Sequence, residues 1–527
     1  MDKRHYDFVI VGSGINSLVC ATLLAKKGHK VCVLERNDRL GGCIRTEEIT
    51  LPGFKHEVFS AVHPLVVTSP AFAELEQDFV SRGLEYCSND YPTGVVLPDN
   101  RSLVFTMDRQ ANAAAMEALA EGDGSYYVES MQYVEANSPL IFGLLGSKLW
   151  SFATLKLFAG ELWKRGVAGL LNFVSEAMQT NRDWLEAHYS SDLVKALLAP
   201  WVLHAGLGPE SAFSGLMSRV MAFTLEQAGA PVVKGGNEKL VDIYAEIIRD
   251  HGGELICNVD VAEITLEGTR ATGVKDSSGK VYSANKSVIC NVTPTQLYQR
   301  LLPEAMQPPE VRKQADEYRY GRAMMTMHLA LDEPPQWAHP DMQKVVMLHV
   351  TPDLDGISKA TNEADRGFLP DQSTIVVCQP IAVDASRAPE GKWIFWIQLQ
   401  QIPRILKGDA RGEITIPVDG QWSDAVRDQF AERILEQLAA VIPNLKSSLL
   451  AMKAYSPKDL EAMNINLVGG DAYGGDCGLD QFLFWRPLKA MKNHDTPVKN
   501  LYHIGASTHP GPGLGGGSGY LVAKQLA

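Results

Sequence analysis

The sequence predicts an α/β protein in which a discontinuous Rossmann-type domain is interrupted by an inserted α+β domain. Three observations predict it. Residues 6–17 read Tyr-Asp-Phe-Val-Ile-Val-Gly-Ser-Gly-Ile-Asn-Ser, an apolar strand that ends in glycines and opens a helix. Residues 500–520 repeat that order near the other end of the chain, with a strand, a glycine-rich turn and a last helix. Between them the pattern twice leaves for long helical or alternating stretches, and a Gly/Pro break at 228–236 marks the return after the first.

Each element follows from its residues. Gly12 permits the tight strand-to-helix turn, and Gly14 lets the backbone approach a pyrophosphate whose charge rests on the exposed N–H groups of the helix. The third small position is Ser17, which departs from glycine but still admits close helix–strand packing. A second strand, 30–34, ends in Glu35, placed to accept from a ribose 2′-hydroxyl and to repel the extra phosphate of NADP. The continuation Glu35-Arg36-Asn37-Asp38-Arg39-Leu40-Gly41-Gly42-Cys43-Ile44-Arg45-Thr46 brings a glycine pair back toward the same phosphates. This combination resembles the FAD-binding start of the flavoprotein superfamily that contains amine oxidases, phytoene desaturases and Rab GDP-dissociation inhibitors. The resemblance implies an FAD site built from Gly12, Ser13, Gly14, Asn16, Ser17, Glu35, Arg36, Gly41, Gly42, Arg45 and Thr46.

At 527 residues the chain suggests two or three domains, enough to enclose a large cofactor. A net charge of −13 without basic runs excludes general nucleic-acid binding. The eight cysteines show neither Cys-x-x-Cys pairing nor zinc-ligand spacing, and read as buried, reduced thiols of an intracellular protein. No signal peptide fits, so the mature protein is expected to start near Met1. Residues 139–173 come nearest to a membrane span but carry Lys148, Lys156, Glu161, Lys164 and Arg165.

Further along, residues 53–72 look like those of the phytoene-desaturase-like flavoproteins, nearer to the group named after pyridine-nucleotide-disulphide oxidoreductases than to the carotenoid enzymes. In that family the segment passes the flavin, which makes Ser60 and His63 neighbours of the isoalloxazine ring; the other reading of His63 is a turn position before Pro64. Residues 73–225 read as a largely helical excursion. Within it, 139–173 is either a helical lid over the active site or an amphipathic surface that touches membrane. His204, alone in apolar company, is either a satisfied core histidine or a substrate-side acid/base.

Apolar residues at 240, 243, 244, 247 and 248 predict a packed helix over 237–250, and short strands follow at 254–258, 261–266, 271–275, 281–283 and 287–291. By resemblance the Val261 backbone meets the adenine, and Asn291 closes this part of the cofactor domain. A second excursion, about 296–450, holds strands in which Met324, Met325 and Met327 are either pocket-facing or core filler. Asp471, Asp476, Asp480 and Arg486 read as a carboxylate cluster and a cation in a loop-rich pocket wall, without the spacing of an EF-hand. The tail turn offers backbone N–H groups where negative charge collects on a reduced flavin, and in the family Gly505, Gly513, Leu514 and Gly516 serve there.

The domains expected are 1–72, 226–297 and 451–527 for FAD, and 73–225 with 298–450 for substrate, the latter with the helical lid. The expected function is an FAD-dependent dehydrogenase or desaturase that moves a hydride from an apolar or partly apolar organic substrate to flavin N5. His509, His63 and His204, in that order, are candidates for the catalytic base. Two alternatives stay open: a flavin amine oxidase releasing hydrogen peroxide, with Lys234 orienting a water or merely binding phosphate or solvent, and a non-catalytic lipid binder like the GDP-dissociation inhibitors. The expected partners are a small apolar substrate and oxygen or a quinone as electron acceptor, with no metal. The setting expected is cytoplasmic, with peripheral membrane contact and oligomeric state left open.

Overall fold

The computed structural model describes residues 4–527; the expected start near Met1 lies outside them. The first strand, β1 (Arg4–Val11), runs from the edge of the chain into the middle of a seven-stranded sheet. Phe8, Val9 and Ile10 are buried on both faces, as a central parallel strand requires. On one side β1 pairs in parallel with β2 (Val31–Leu34), which pairs with Glu254–Ile256. On the other it pairs in parallel with Val281–Asn291, which pairs with Leu501–Ile504. Five parallel strands thus draw on the start, the middle and the end of the sequence.

Val281–Asn291 is a single strand, although the sequence predicts two. Its first residues pair antiparallel with Arg270–Asp276 and its last pair in parallel with Leu501–Ile504, so one strand changes partner midway. The polar Asn285 and Lys286, exposed at the changeover, imitate a loop. Helix α1 (Ile15–Lys26) covers the sheet and is buried from Ile15 to Ala25, because Glu238–Asp250 and the last helix, Gly517–Leu526, pack against it.

The second sheet also has seven strands, and both excursions contribute. Its order is Leu449–Tyr455, Ala323–Leu331, Trp393–Ile402, Ile375–Cys378, Met347–Val350, Thr93–Val96 and Ser102–Phe105, antiparallel except where Met347–Val350 meets Thr93–Val96. The boundary expected at 450/451 falls inside Leu449–Tyr455, a strand of this sheet. One face is wholly apolar: Met325, Met327, Leu329, Phe395, Ile397 and Leu399 pack beneath the helix Asp424–Ala439. Met325 and Met327 are therefore core, whereas Met324 points from the opposite face into a cluster between the two domains.

The helix Phe152–Ala177 differs from the expected lid. It buries only Thr154, Glu161 and Ala177, while Phe152, Trp163, Val167 and Leu171 are 81%, 91%, 65% and 62% exposed. A lid closed over a site would bury that face. Among the described residues no helix is long and apolar enough to cross a membrane.

Candidate active site

The glycine-rich turns at the two ends of the chain meet above the carboxyl edge of the parallel sheet, where ligands bind in open α/β folds. Gly12 leaves β1 at φ +84°, its N–H donating to Leu34 O at 2.8 Å. A Cβ added to Gly42 would stand 3.0 Å from Gly14 Cα, so the second glycine pair lies against the first turn. The two segments are tied through Ser13: its N–H and Oγ donate to Glu35 Oε2 at 2.8 and 2.5 Å, and its Oγ accepts from Gly41 N at 3.1 Å. Glu35 Oε1 accepts from Asn37 N, and Val259 N donates to Glu35 O at 2.8 Å, which brings the chain just before Val261 beside the acid.

Asn291 closes the other side. Its Nδ2 donates to Ser17 Oγ at 3.0 Å, and its Oδ1 lies where a Cβ on Gly505 would fall, 2.5 Å away. Asn16 Oδ1 accepts from Ser518 Oγ at 2.8 Å and from Gly519 N at 3.2 Å, while Ser518 Oγ also accepts from Gly505 N at 2.8 Å. A Cβ on Gly519 would stand 1.9 Å from Asn16 O, so only glycine lets the last helix seat on α1. The turn between, with Gly513, Leu514 and Gly516, rests on Leu65 and Val19. These close backbone approaches, with a carboxylate at the end of β2, fit a dinucleotide: side chains are missing where a pyrophosphate needs room and an acceptor stands where a ribose needs one.

Not every expected residue converges so closely. Arg36 is half-exposed and pairs with Asp260 at 3.6 Å. Arg45 pairs with Glu47, and Thr46 Oγ1 donates to Glu57 Oε2 at 2.8 Å. Val261 is buried, with its carbonyl accepting from Arg300 Nη2 at 3.1 Å. Ser60 Oγ donates to Cys43 O at 2.8 Å, just after the glycine pair. Lys234 stands in solvent rather than at a water-orienting position: its ammonium is about half exposed and donates to both oxygens of Glu85, on the surface.

The three histidines are not brought together; each has its own partners. His63 Nδ1 faces Tyr86 OH at 3.2 Å, and its Nε2 is buried without a partner. His509 Nε2 donates to Leu144 O at 3.1 Å, leaving Nδ1 unpartnered. His204 stacks on Trp201 and shares a proton between its Nε2 and that of His349 at 3.0 Å. Burial pushes His63 and His204 down to about 3 and His509 to about 4, so all three rings are neutral at pH 7. The expected carboxylate cluster separates. Asp471 is fully buried and accepts from the backbone N–H of Gly321, Tyr473 and Gly475, whereas Asp480 pairs with Arg319 on the surface. Arg486 is buried and donates to Ala506 O at 3.0 Å, bracing the loop that leads into His509. Among the described residues no group of three His, Cys, Asp or Glu side chains could hold a metal. All eight cysteines are unbridged, though Cys43, Cys87 and Cys257 are only half-buried.

Sequence reasoning missed two features. Arg39 lies between the acid and the glycine pair, its Nη1 donating to Glu47 at 2.8 Å and its buried Nε, without a hydrogen bond, 3.8 Å from Asp38; its position four residues after Glu35 was the available signal. Arg387 donates to Glu57, to Asp384 at 2.7 Å and to Val233 O at 2.7 Å, while Asn237 N donates to Glu57 at 3.0 Å. That network ties Asp384 and Arg387 to Glu57, Val233 and Asn237, far away in sequence, and nothing local in the sequence announces it. Around that network, Val58, Phe59, Met324, Leu460, Leu467 and Tyr473 form one apolar cluster spanning both domains.

Comparison with known proteins agrees with this geometry. The family model described as flavin containing amine oxidoreductase matches residues 18–511. The chain is 26% identical to the mouse (Mus musculus) pyridine nucleotide-disulfide oxidoreductase domain-containing protein 2, covering 99% of this chain and 94% of the relative. It is also 26% identical to the zeta-carotene-forming phytoene desaturase of Myxococcus xanthus, over 96% of this chain and 90% of that one. Among solved structures, an oxidoreductase from Methanosarcina mazei shares the fold at a TM-score of 0.59 and 17% identity, covering 99% of this chain and all of the other. The chain belongs to the flavin containing amine oxidoreductase family and is an FAD-dependent oxidoreductase.

Proposed function

We propose that the protein dehydrogenates an apolar or partly apolar organic substrate lying between its two sheets. The supporting observation is the interdomain cluster of Val58, Phe59, Met324 and Tyr473, which joins the loop after the glycine pair to the inner face of the second sheet. Bound FAD supplies a hydride acceptor at its N5. Glu35 then holds the ribose, the turn at Gly12, Ser13 and Gly14 with the start of α1 holds the pyrophosphate, and Arg36, Arg45 and Thr46 flank it. Asn16, Ser17 and Asn291 fix that turn; Gly41 and Gly42 press it closed. Val261 borders the adenine, and Gly505, Gly513, Leu514 and Gly516 line the ring end.

A substrate proton passes to a neutral acceptor. His509 and His63 each keep one buried ring nitrogen without a partner, and His204 is held by His349. Oxygen or a quinone takes the electrons. Lys234, tied to Glu85, gives an amine-oxidase reaction no support. A visible spectrum of the protein, oxidised, reduced and re-aerated, tests the reading. A flavin band that bleaches with an apolar substrate is expected, returning quickly in air if oxygen is the acceptor and slowly if a quinone is; no band after FAD is added overturns it.

A second observation supports a peripheral membrane contact: the exposed apolar face of Phe152–Ala177 lies among Lys148, Lys156 and Lys164 on a chain of net charge −13. Co-sedimentation with anionic vesicles is expected, and Trp163→Ser should reduce it; no sedimentation of the unaltered protein sinks this contact.

A further inference from the structure

The two faces of the second sheet differ in kind. Beneath Asp424–Ala439 every side chain is apolar. On the opposite face, pairing aligns His349, Val376, Gln398, Thr326 and Tyr455 in one row across five strands, about 19 Å at ordinary strand spacing. His328 lies two residues beyond Thr326 on the same strand, and therefore on the same face.

Polar groups in this row lack partners that the fold could have provided. Thr326 Oγ1 and both ring nitrogens of His328 are buried and unpartnered, as is Gln400 Oε1. Gln398 Oε1 accepts from Gln400 Nε2 at 3.1 Å, but its amide N–H goes to the thioether of Met324 at 3.0 Å, a weak acceptor. From Ile394 to Ile402 every residue is buried except Gln398, so the sheet is open at that point. A buried, unsatisfied group is costly, and several on one face are retained where a ligand satisfies them.

The charges around the row already have partners or face solvent. Arg387 is taken by Glu57 and Asp384, and Asp471 by three backbone N–H groups. Lys453 stands at the edge, exposed, over the ring of Tyr455. The carboxylates nearest the row, Glu47 and Asp459, already have the cation partners Arg45 and Arg427, and Lys453 keeps its ammonium in solvent, while a pure hydrocarbon would leave the Thr326 hydroxyl and the His328 imidazole unsatisfied.

We propose that Gln398, Thr326 and His328 form a substrate-reading site for an uncharged hydrogen-bonding group, a carbonyl, hydroxyl or amide, borne on an otherwise apolar molecule. The inference rests on the dehydrogenase reading above and names the substrate class for that site.

Binding of octanamide, 2-octanone, n-octane and octylammonium tests it, read by thermal shift with and without FAD and by displacement of the flavin band. Octanamide and 2-octanone are expected to bind at least about tenfold more tightly than the other two. Gln398→Leu and Thr326→Val should each weaken octanamide binding about tenfold and leave octane unaffected, with Thr326→Ser restoring it. Thr326→Val removes an unpartnered hydroxyl at constant shape, so the ligand-free variant should melt no lower than the parent; a purely structural hydroxyl would lower it. Octane or octylammonium binding as well as octanamide, no binding by any probe up to its solubility, unchanged preference in both variants, or loss of FAD from them would overturn the proposal. Octanamide selectivity in a protein that takes up no FAD would sustain this site while refuting the dehydrogenase; FAD uptake without selectivity would do the reverse.

Discussion

Arg387 donates to the carboxylate of Glu57 with both side chains wholly buried, across 330 residues of sequence. Asp384 and Val233 O complete the guanidinium's partners, so the charge is satisfied only when Arg387 meets Glu57 and Val233, far away in sequence. Arg387→Met strands Glu57 in the interior and should cost about 3–5 kcal/mol in denaturant unfolding. Glu57→Gln combined with Arg387→Met should cost less than Arg387→Met alone, because of the two carboxylates that lose their cation, Glu57 and Asp384, only Asp384 stays charged. Equal stability of parent and Arg387→Met would show that the pair holds nothing.

The contact of Gly519 with Asn16 predicts a sharp loss from one methyl group. Gly519→Ala sets a Cβ against backbone and cannot be relieved by a rotamer change, so the last helix must lift from α1 at a cost of about 3 kcal/mol. Ser518→Ala, which only drops bonds to Asn16 and Gly505, should cost about 1 kcal/mol. Flavin content after purification is the readout; it should fall in the first variant and persist in the second.

Glu35→Gln keeps shape and removes the charge that Ser13 N, Ser13 Oγ and Asn37 N satisfy. Loss of charge-assisted bonding should weaken FAD binding about tenfold or more, measured by quenching of flavin fluorescence. An unchanged dissociation constant would remove Glu35 from the site.

Acid should unfold the protein early. Burial depresses His56, His63, His204 and His494 to about 3, and His503 and His509 to about 4. Above pH 6.5 these rings are neutral in both states and contribute no pH dependence. Below it the unfolded chain binds protons that the folded chain refuses, so stability falls with falling pH until the folded rings protonate near 3–4. Each contributes up to about 1.4 kcal/mol per pH unit. Urea unfolding between pH 8 and 5 checks this, and a flat profile below 6.5 would contradict it.

The cofactor half of the fold was legible because its information is local. Gly12, Gly14 and Glu35 stand at the ends of apolar strands whose register needs no distant partner to be read, and the helix at Glu238–Asp250 shows its buried stripe directly. The substrate half was not. Leu449–Tyr455 alternates only weakly in burial, so it resembles a loop until Ala323–Leu331 supplies its partner. The Thr326, Gln398 and His349 row exists only through pairing of strands far apart in sequence, and the run Met324-Met325-Thr326-Met327-His328 reads as core filler because two of its methionines are. For the same reason the Arg387 network was invisible.

The middle of the parallel sheet, β1, is flanked by a strand that cannot form its outer pairing until Leu501–Ile504 has been made. Ribosomes add about 5–20 residues per second, so the first glycine turn waits roughly 25–100 s for the residues that close over it. During translation the nascent chain therefore exposes half of a nucleotide cradle, and cofactor capture becomes a checkpoint passed only once Leu501–Ile504 and Gly517–Leu526 have been made. A chain that stops before Gly517–Leu526 would lack the helix whose Ser518 and Gly519 seat on Asn16, and with it one wall of the cradle.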